Sequence, residues 1–323
     1  MTSPTEIEGM PEPYRADTVA MGPQIRRTIS ALPAAPGVYR FRDETGRVLY
    51  MGRATELRSR VASYWGELRD RRHLRRMVPR ITRIEAVSCD SVHEAAWLER
   101  NLLEESKPRW NRTRGGQEVP AYLMLDARAA TAGLRLVHVP EPQVAGVTRF
   151  GPYLGGVRTR LTVSALHRVH PLAYTRIGLT GAERDLAATR GVTTADREDL
   201  TRAVASVLLR DPVAVAAAQE TLLSVRTRAA DSLAFELAGR ITEELRALDW
   251  VTAPQRVTSD EAGDFAVRGW ADGVLVSFTV RAGRVRTWTQ RHTTRPAAEG
   301  PAGWQEFAER NAALAALLDR ADS

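Results

Sequence analysis

Two tyrosines, Tyr39 and Tyr50, flank a glycine-containing turn in PGVYRFRDETGRVLYMGRA, and a third, Tyr64, follows four residues after Arg60. Residues four apart share one face of a helix. If that face turns toward the other tyrosines, three phenols and a guanidinium converge. Such a cluster suits phosphodiester hydrolysis, which needs a base for water, a cation for charge developing on the phosphoryl oxygens, and usually a divalent metal near the leaving oxygen. Glu99 supplies a hard carboxylate of the kind Mg²⁺ or Mn²⁺ prefers, and a site with one protein carboxylate leaves several waters on the metal. The same residues have a plainer reading. Tyrosines in strands are ordinarily core or rim residues, and a glutamate beside Arg100 is ordinarily a solvated helix position. Residue types and spacing leave both readings open.

Charge points to a polyanion. Between Arg53 and Arg80 nine arginines stand against Glu56, Glu67 and Asp70, a local excess of six out of +7 for the 323 residues. Arg53, Arg58, Arg60, Arg71, Arg72 and Arg75 are the candidate phosphate contacts in this stripe, since a planar guanidinium holds phosphate oxygens in a fixed geometry. An exposed, merely solvated face would carry similar charge. The single cysteine, Cys89, excludes a disulfide framework and a thiolate metal cluster within one chain. With no secretory leader pattern and no run of 18 apolar residues, the expectation is a cytoplasmic protein with no membrane contact.

The elements that must position these residues are legible in outline. Residues 1–30 lack periodicity and read as a flexible lead that orders only near Ile25. VYRF and RVLYMG, split by DETG, predict a hairpin. From Glu56 the apolar spacing turns helical, a second basic helix is expected over roughly 73–78, ITRIEAVSC alternates as a third strand, and SVHEAAWLERNLLEESK predicts a helix ending near Pro108. Residues 31–115 are therefore a compact α/β (α+β) domain on a small sheet. Residues 116–181 form a linking segment with strands at AYLMLD and LRLVHV, a tight FGPYLGG connection and a helix over 161–169. Residues 182–250 read as helical, with DPVAVAAAQETLLSVRTRAADSLAFELAGRITEELRAL forming an antiparallel hairpin whose inner stripe is Leu222, Val225, Ala229, Leu233 and Leu237. Residues 251–323 alternate as a β-meander, closed by a helix from Trp304 to Leu318.

LPAAPGVYRF, LYMGRATELRSRVASYW and EAAWLERNLLEESKPRWN together resemble the GIY-YIG endonuclease family, in the form found at the N-terminus of the excision-repair nuclease UvrC and its short relatives. The resemblance implies a metal-dependent endonuclease. In it Tyr39 is the general base, directly or through the metal-bound water, and Tyr50 positions water or phosphate. It further implies that Arg60 stabilises the pentacovalent phosphate, Tyr64 orients the reacting groups, Glu99 is the sole carboxylate ligand of Mg²⁺ or Mn²⁺, and Asn111 braces the site. Tyrosine as base has a difficulty, because its ordinary pKa near 10 must be offset by cationic neighbours, for which Arg53 and Arg60 are candidates. Arg53 stands where the family usually has lysine, and Trp110 where it has tyrosine.

Further along, VRTRAADSLAFELAGRITEELRAL resembles the UVR motif through which UvrC and UvrB recognise each other, with Phe235, Glu236 and Arg240 in its core. The resemblance thus implies double-stranded DNA, damaged or distorted, as substrate and a UvrB-like helicase with UvrA as partner. No RNase H-like half or helix-hairpin-helix repeat precedes Ser323, so the expected activity is one incision, on the 3′ side of a lesion. Residues 165–200 lack the family's four-cysteine cluster, and His167 and His170 read as ordinary packing positions. The alternatives are a non-cleaving UvrB-binding accessory protein and an autonomous nuclease for crosslinked or branched DNA. No nucleotide-binding loop is present, so any ATP dependence belongs to partners.

Overall fold

The computed structural model describes residues 20–66, 69–112, 118–139, 142, 144–258, 263–297 and 299–323, and for 69–72 the backbone alone. The first sheet is built from β1 (Gly37–Arg42), β2 (Val48–Ala54) and β3 (Arg83–Ser88), in the order β2-β1-β3 and antiparallel throughout. Alternation sends Tyr39 and Phe41 of β1 to one face and Val38 and Arg40 to the other. The tyrosine face is covered by α1 (Pro23–Ala31), α2 (Leu57–Ala62) and the 3-10 turns that follow, which bury Leu32, Leu57, Val61, Tyr64, Leu74 and Met77. The other face packs on α3 (Val92–Glu105) through Ala95, Leu98 and Leu102. Ser91 caps α3 by accepting from the Glu94 backbone N–H at 3.1 Å.

A second sheet, β5-β4-β6, comprises β4 (Ala121–Asp126), β5 (Gly133–Val137) and β6 (Val147–Tyr153), and α4 (Gly156–Val169) follows it. Beyond it come α5 (Gly181–Thr189), α6 (Arg197–Leu208) and the hairpin of α7 (Pro212–Asp231) with α8 (Phe235–Thr252), whose core also takes in α4. A meander of β7 (Phe265–Ala271), β8 (Val274–Arg281) and β9 (Arg284–His292), in the order β7-β8-β9, leads to α9 (Ala302–Asp322). The architecture is the expected one: a small sheet with helices, a central helical region, and a C-terminal meander plus helix.

Several local expectations are corrected. The lead-in is helical from Pro23, with proline in the first turn where its missing N–H is harmless, while residues 1–19 lie outside the described residues. The second basic helix is a 3-10 segment, Arg69–Arg76, followed by a short one at Val78–Arg80. FGPY is the end of β6, because the proline lies on an edge strand that owes no hydrogen bond on that side; the turn falls after Tyr153, and α4 starts at Gly156. In the hairpin, Leu222 and Ala229 are buried, but Leu233 is 73% and Leu237 40% exposed. Leu233 has φ of +60° in the turn between α7 and α8, and that break shifts the helical phase, turning Leu237 outward.

The meander and α9 share one core with the first sheet. Val38, Val87 and Leu98 lie in the same buried cluster as Val276, Phe278, Phe307 and Ala312. Two polar links reinforce it. Arg40 is buried, paired with Glu85, stacked 3.8 Å over the Trp288 ring, and donates to the Trp288 carbonyl at 2.7 Å. Glu94 accepts from the backbone N–H groups of Arg256 and Val257 at 2.6 and 2.7 Å.

Candidate active site

The hairpin register places Tyr39 opposite Gly52 and Phe41 opposite Tyr50. A Cβ at residue 52 would stand 2.6 Å from the Tyr39 hydroxyl and 2.9 Å from the Tyr50 ring. Glycine there gives the Tyr39 ring room to cross the neighbouring strand. Tyr39 and Tyr64 are buried, and their hydroxyls share a 2.6 Å hydrogen bond. The three rings form a cluster, with centroids 6.3 Å apart for Tyr39–Tyr50, 5.9 Å for Tyr39–Tyr64 and 5.8 Å for Tyr50–Tyr64. Arg60 lies beside it, its guanidinium 5.9 Å from the Tyr64 ring centroid.

Burial raises the proton affinity of all three phenols above the ordinary value of 10. Arg60 pulls each of them back, Tyr39 most directly by a hydrogen bond. The hydroxyls are therefore protonated at neutral pH, and Tyr39 can take a proton only where further positive charge stands nearby. Arg53 is not that charge. It spans to Glu99 at 3.5 Å and to Glu118 at 3.2 Å, and its guanidinium is occupied by carboxylates.

Glu99 projects from α3 with 18% of its side chain exposed. Burial pushes its carboxyl up to about 7, against the opposing pull of Arg53. A carboxylate so desolvated gains from a cation beside it, so the donor chemistry fits a hard divalent metal. Among the described residues no three His, Cys, Asp or Glu side chains converge, and such a metal would be held by Glu99 with water completing its shell.

Asn111 holds the outer edge of the sheet. Its Oδ1 accepts from the Met51 N–H at 3.0 Å and its Nδ2 donates to the Met51 carbonyl at 2.8 Å, as a strand partner would. Sequence reasoning missed its counterpart: Asn311 of α9 makes the same pair with Ser88 on β3, at 2.7 and 3.2 Å. Both edges of the first sheet are thus closed by an amide, which satisfies backbone groups that would otherwise be free. Its distance along the chain hides Asn311, which lies 223 residues from Ser88.

Of the basic stripe, Arg58 donates to the Leu32 carbonyl at 2.8 Å, which ties it to the end of α1. Arg75 is half-buried. The side chains of Arg71 and Arg72 lie outside the described residues. In the hairpin, Phe235 is 67% exposed, and Glu236 and Arg240 are exposed beside it. His167 packs against Tyr174, ring centroids 5.3 Å apart. No described helix is long and apolar enough to cross a membrane.

The family described as the UvrC-like GIY-YIG domain matches residues 35–112. The UvrABC system protein C of Syntrophotalea carbinolica is 31% identical over 253 residues, covering 73% of this chain and 40% of that protein. That of Mycobacterium tuberculosis H37Rv is 30% identical over 298 residues, covering 85% of this chain and 45% of that protein. The chain thus spans about two fifths of the length of these curated relatives. Among solved structures, the magnesium-bound GIY-YIG endonuclease domain of UvrC from Thermotoga maritima is 31% identical, with a TM-score of 0.26, covering 28% of this chain and 99% of that one. With the motif residues, their order and the domain match in agreement, residues 35–112 of this chain are a GIY-YIG domain of the UvrC-like form.

Proposed function

We propose that the protein is a divalent-metal-dependent DNA endonuclease that cuts one strand by water attack on a phosphodiester, on the 3′ side of a lesion in UvrC-like excision repair. The observation that carries this reading is the convergence of two buried phenols, the half-buried Tyr50, Arg60 and a desolvated Glu99 beside a small sheet. Glu99 would hold Mg²⁺, or Mn²⁺ in its place, and the bound ion would supply positive charge to the leaving oxygen. Tyr39, aligned by its bond to Tyr64, would be the base once Arg60 and the positive charge of a bound cation have released its phenol proton to solvent, the phenolate then taking the proton of the attacking water, and Tyr50 orients water or phosphate from the edge of the cluster. Arg60 meets the charge that builds on the phosphoryl oxygens and keeps Tyr39 from rising further. Arg53 holds Glu99 in register, and a phosphate would reach its guanidinium by displacing Glu118. Asn111 acts through Met51, fixing the strand that carries Tyr50. Arg58, Arg71, Arg72 and Arg75 contribute to duplex binding.

Recruitment by a UvrB-like helicase, loaded with UvrA, fits the hairpin tip, where Leu233, Phe235 and Leu237 present apolar surface to solvent. The test is a nicking assay on end-labelled duplex carrying one bulky adduct, with Mg²⁺ or Mn²⁺, with and without UvrA and UvrB. One discrete cut 3′ of the adduct supports the proposal. A wild type that binds the helicase and never cuts under any of these conditions refutes it and leaves the accessory-protein reading. Partner-independent cutting of branched or crosslinked DNA instead assigns the autonomous nuclease.

A further inference from the structure

The turn after α3, closed by the Asn111 N–H donating to the Pro108 carbonyl at 3.0 Å, sits against the open edge of β2. Trp110 N–H donates to the Leu49 carbonyl at 3.1 Å, and one residue later the Asn111 amide pairs with both backbone groups of Met51. Trp110 is half-buried against the aromatic cluster that contains Tyr50, and the Arg109 guanidinium lies over its indole, 5.8 Å from the ring centroid. Arg109 and Arg112 are both exposed. Neither forms an ion pair with another described residue. The acids just upstream are already engaged: Glu104 meets Arg100, Arg284 and Arg286, and Glu105 meets Arg286. Local positive charge on this edge is therefore left for a ligand.

We propose that Arg109 and Arg112 bind the sugar–phosphate backbone of the DNA strand as it passes the site, with Trp110 acting as a platform that pre-sets Arg109. This rests on the nuclease reading above and assigns it a substrate track along the outer edge of β2. Two long, exposed guanidinium side chains on and beside one turn can each meet a phosphate oxygen. Stacking on an indole reduces the freedom Arg109 gives up on binding, because tryptophan is the strongest aromatic partner for a guanidinium. Contacts of this kind add affinity and register without reading sequence.

The test uses the full chain and a fluorescein-labelled 30-base-pair duplex, with anisotropy recorded in EDTA across a salt series. Each phosphate contact contributes about 0.9 to the slope of log affinity against log salt. The double variant Arg109→Ala/Arg112→Ala is expected to lower the slope by about 1.8, and each single variant by about half of that. Trp110→Leu is expected to weaken binding with the slope unchanged. Arg281→Ala, on the far turn of the meander, is the control and leaves both slope and affinity at the wild-type values. Both arginine side chains are exposed, and unchanged melting of their variants verifies folding. A double variant with wild-type slope and affinity, in a protein that binds and nicks DNA, overturns this inference alone. A wild type that neither binds nor nicks duplex overturns the nuclease reading, and this inference with it.

Discussion

Replacing Glu99 with glutamine preserves the side-chain shape and removes the charge that burial penalises. The carboxyl titrates near 7 in the folded protein against an ordinary 4.5. At 1.36 kcal/mol per pKa unit, the ionised form costs the fold about 3 kcal/mol. The direction follows from the raised folded pKa: the group's stabilising contribution is fully present below pH 4.5 and is lost as pH rises through 7. Glu99→Gln does not titrate. The difference in unfolding free energy between variant and wild type should therefore grow by about 3 kcal/mol in the variant's favour between pH 4.5 and pH 8. Urea unfolding of both proteins in EDTA at several pH values measures it, and titrating groups common to both cancel in the difference. Adding Mg²⁺ should stabilise the wild type at pH 8 and leave the variant unmoved, because a ligand stabilises only the state that binds it. A difference that stays flat with pH, or a glutamine variant less stable at pH 8 than at pH 5 relative to wild type, would refute the desolvation argument.

Because a cation and a proton compete for Glu99, Mg²⁺ affinity measured by the same stabilisation should fall about tenfold per pH unit below 7; affinity independent of pH from 5 to 8 would contradict Glu99 as the ligand. Gly52→Ala should cost about 1–3 kcal/mol by overpacking and slow cleavage by about 100-fold through displacement of the Tyr39 hydroxyl, read by thermal melting and single-turnover kinetics. Asn111→Ala strands the Met51 N–H and carbonyl and should lower unfolding free energy by about 2–4 kcal/mol. Phe235→Ala should change stability by less than about 0.5 kcal/mol, since the ring is exposed, while abolishing binding to a UvrB-like helicase in a pull-down or titration.

Strand alternation, the intervening turn and the helical spacing of Tyr64 from Arg60 placed Tyr39, Tyr50 and Tyr64 on their elements, while their roles came only from the resemblance to the GIY-YIG family. What the sequence could not disclose is long-range or environmental. The Asn311 contacts with Ser88 and the stacking of Arg40 on Trp288 join segments more than 200 residues apart, and neither leaves a local pattern. Arg53 looked like a charge for the tyrosines, but Glu118, in a segment of weak periodicity 65 residues on, draws it toward the carboxylates. Glycine and proline in FGPY read as breakers because sequence does not say which strand is an edge. The misplaced hairpin stripe has a similar origin: a helical wheel assumes an unbroken helix, and the left-handed backbone of Leu233 interrupts it. Proton affinities set by burial, at Glu99 above all, require the packed site.

The most direct test of the central claim is single-turnover strand scission at pH 8 in Mg²⁺, comparing wild type with Glu99→Gln on lesion-bearing duplex loaded with UvrA and UvrB. The prediction is a cut by the wild type that the equally folded, more stable glutamine variant fails to make. Scission by Glu99→Gln at the wild-type rate would contradict the assignment of this cluster as the hydrolytic site.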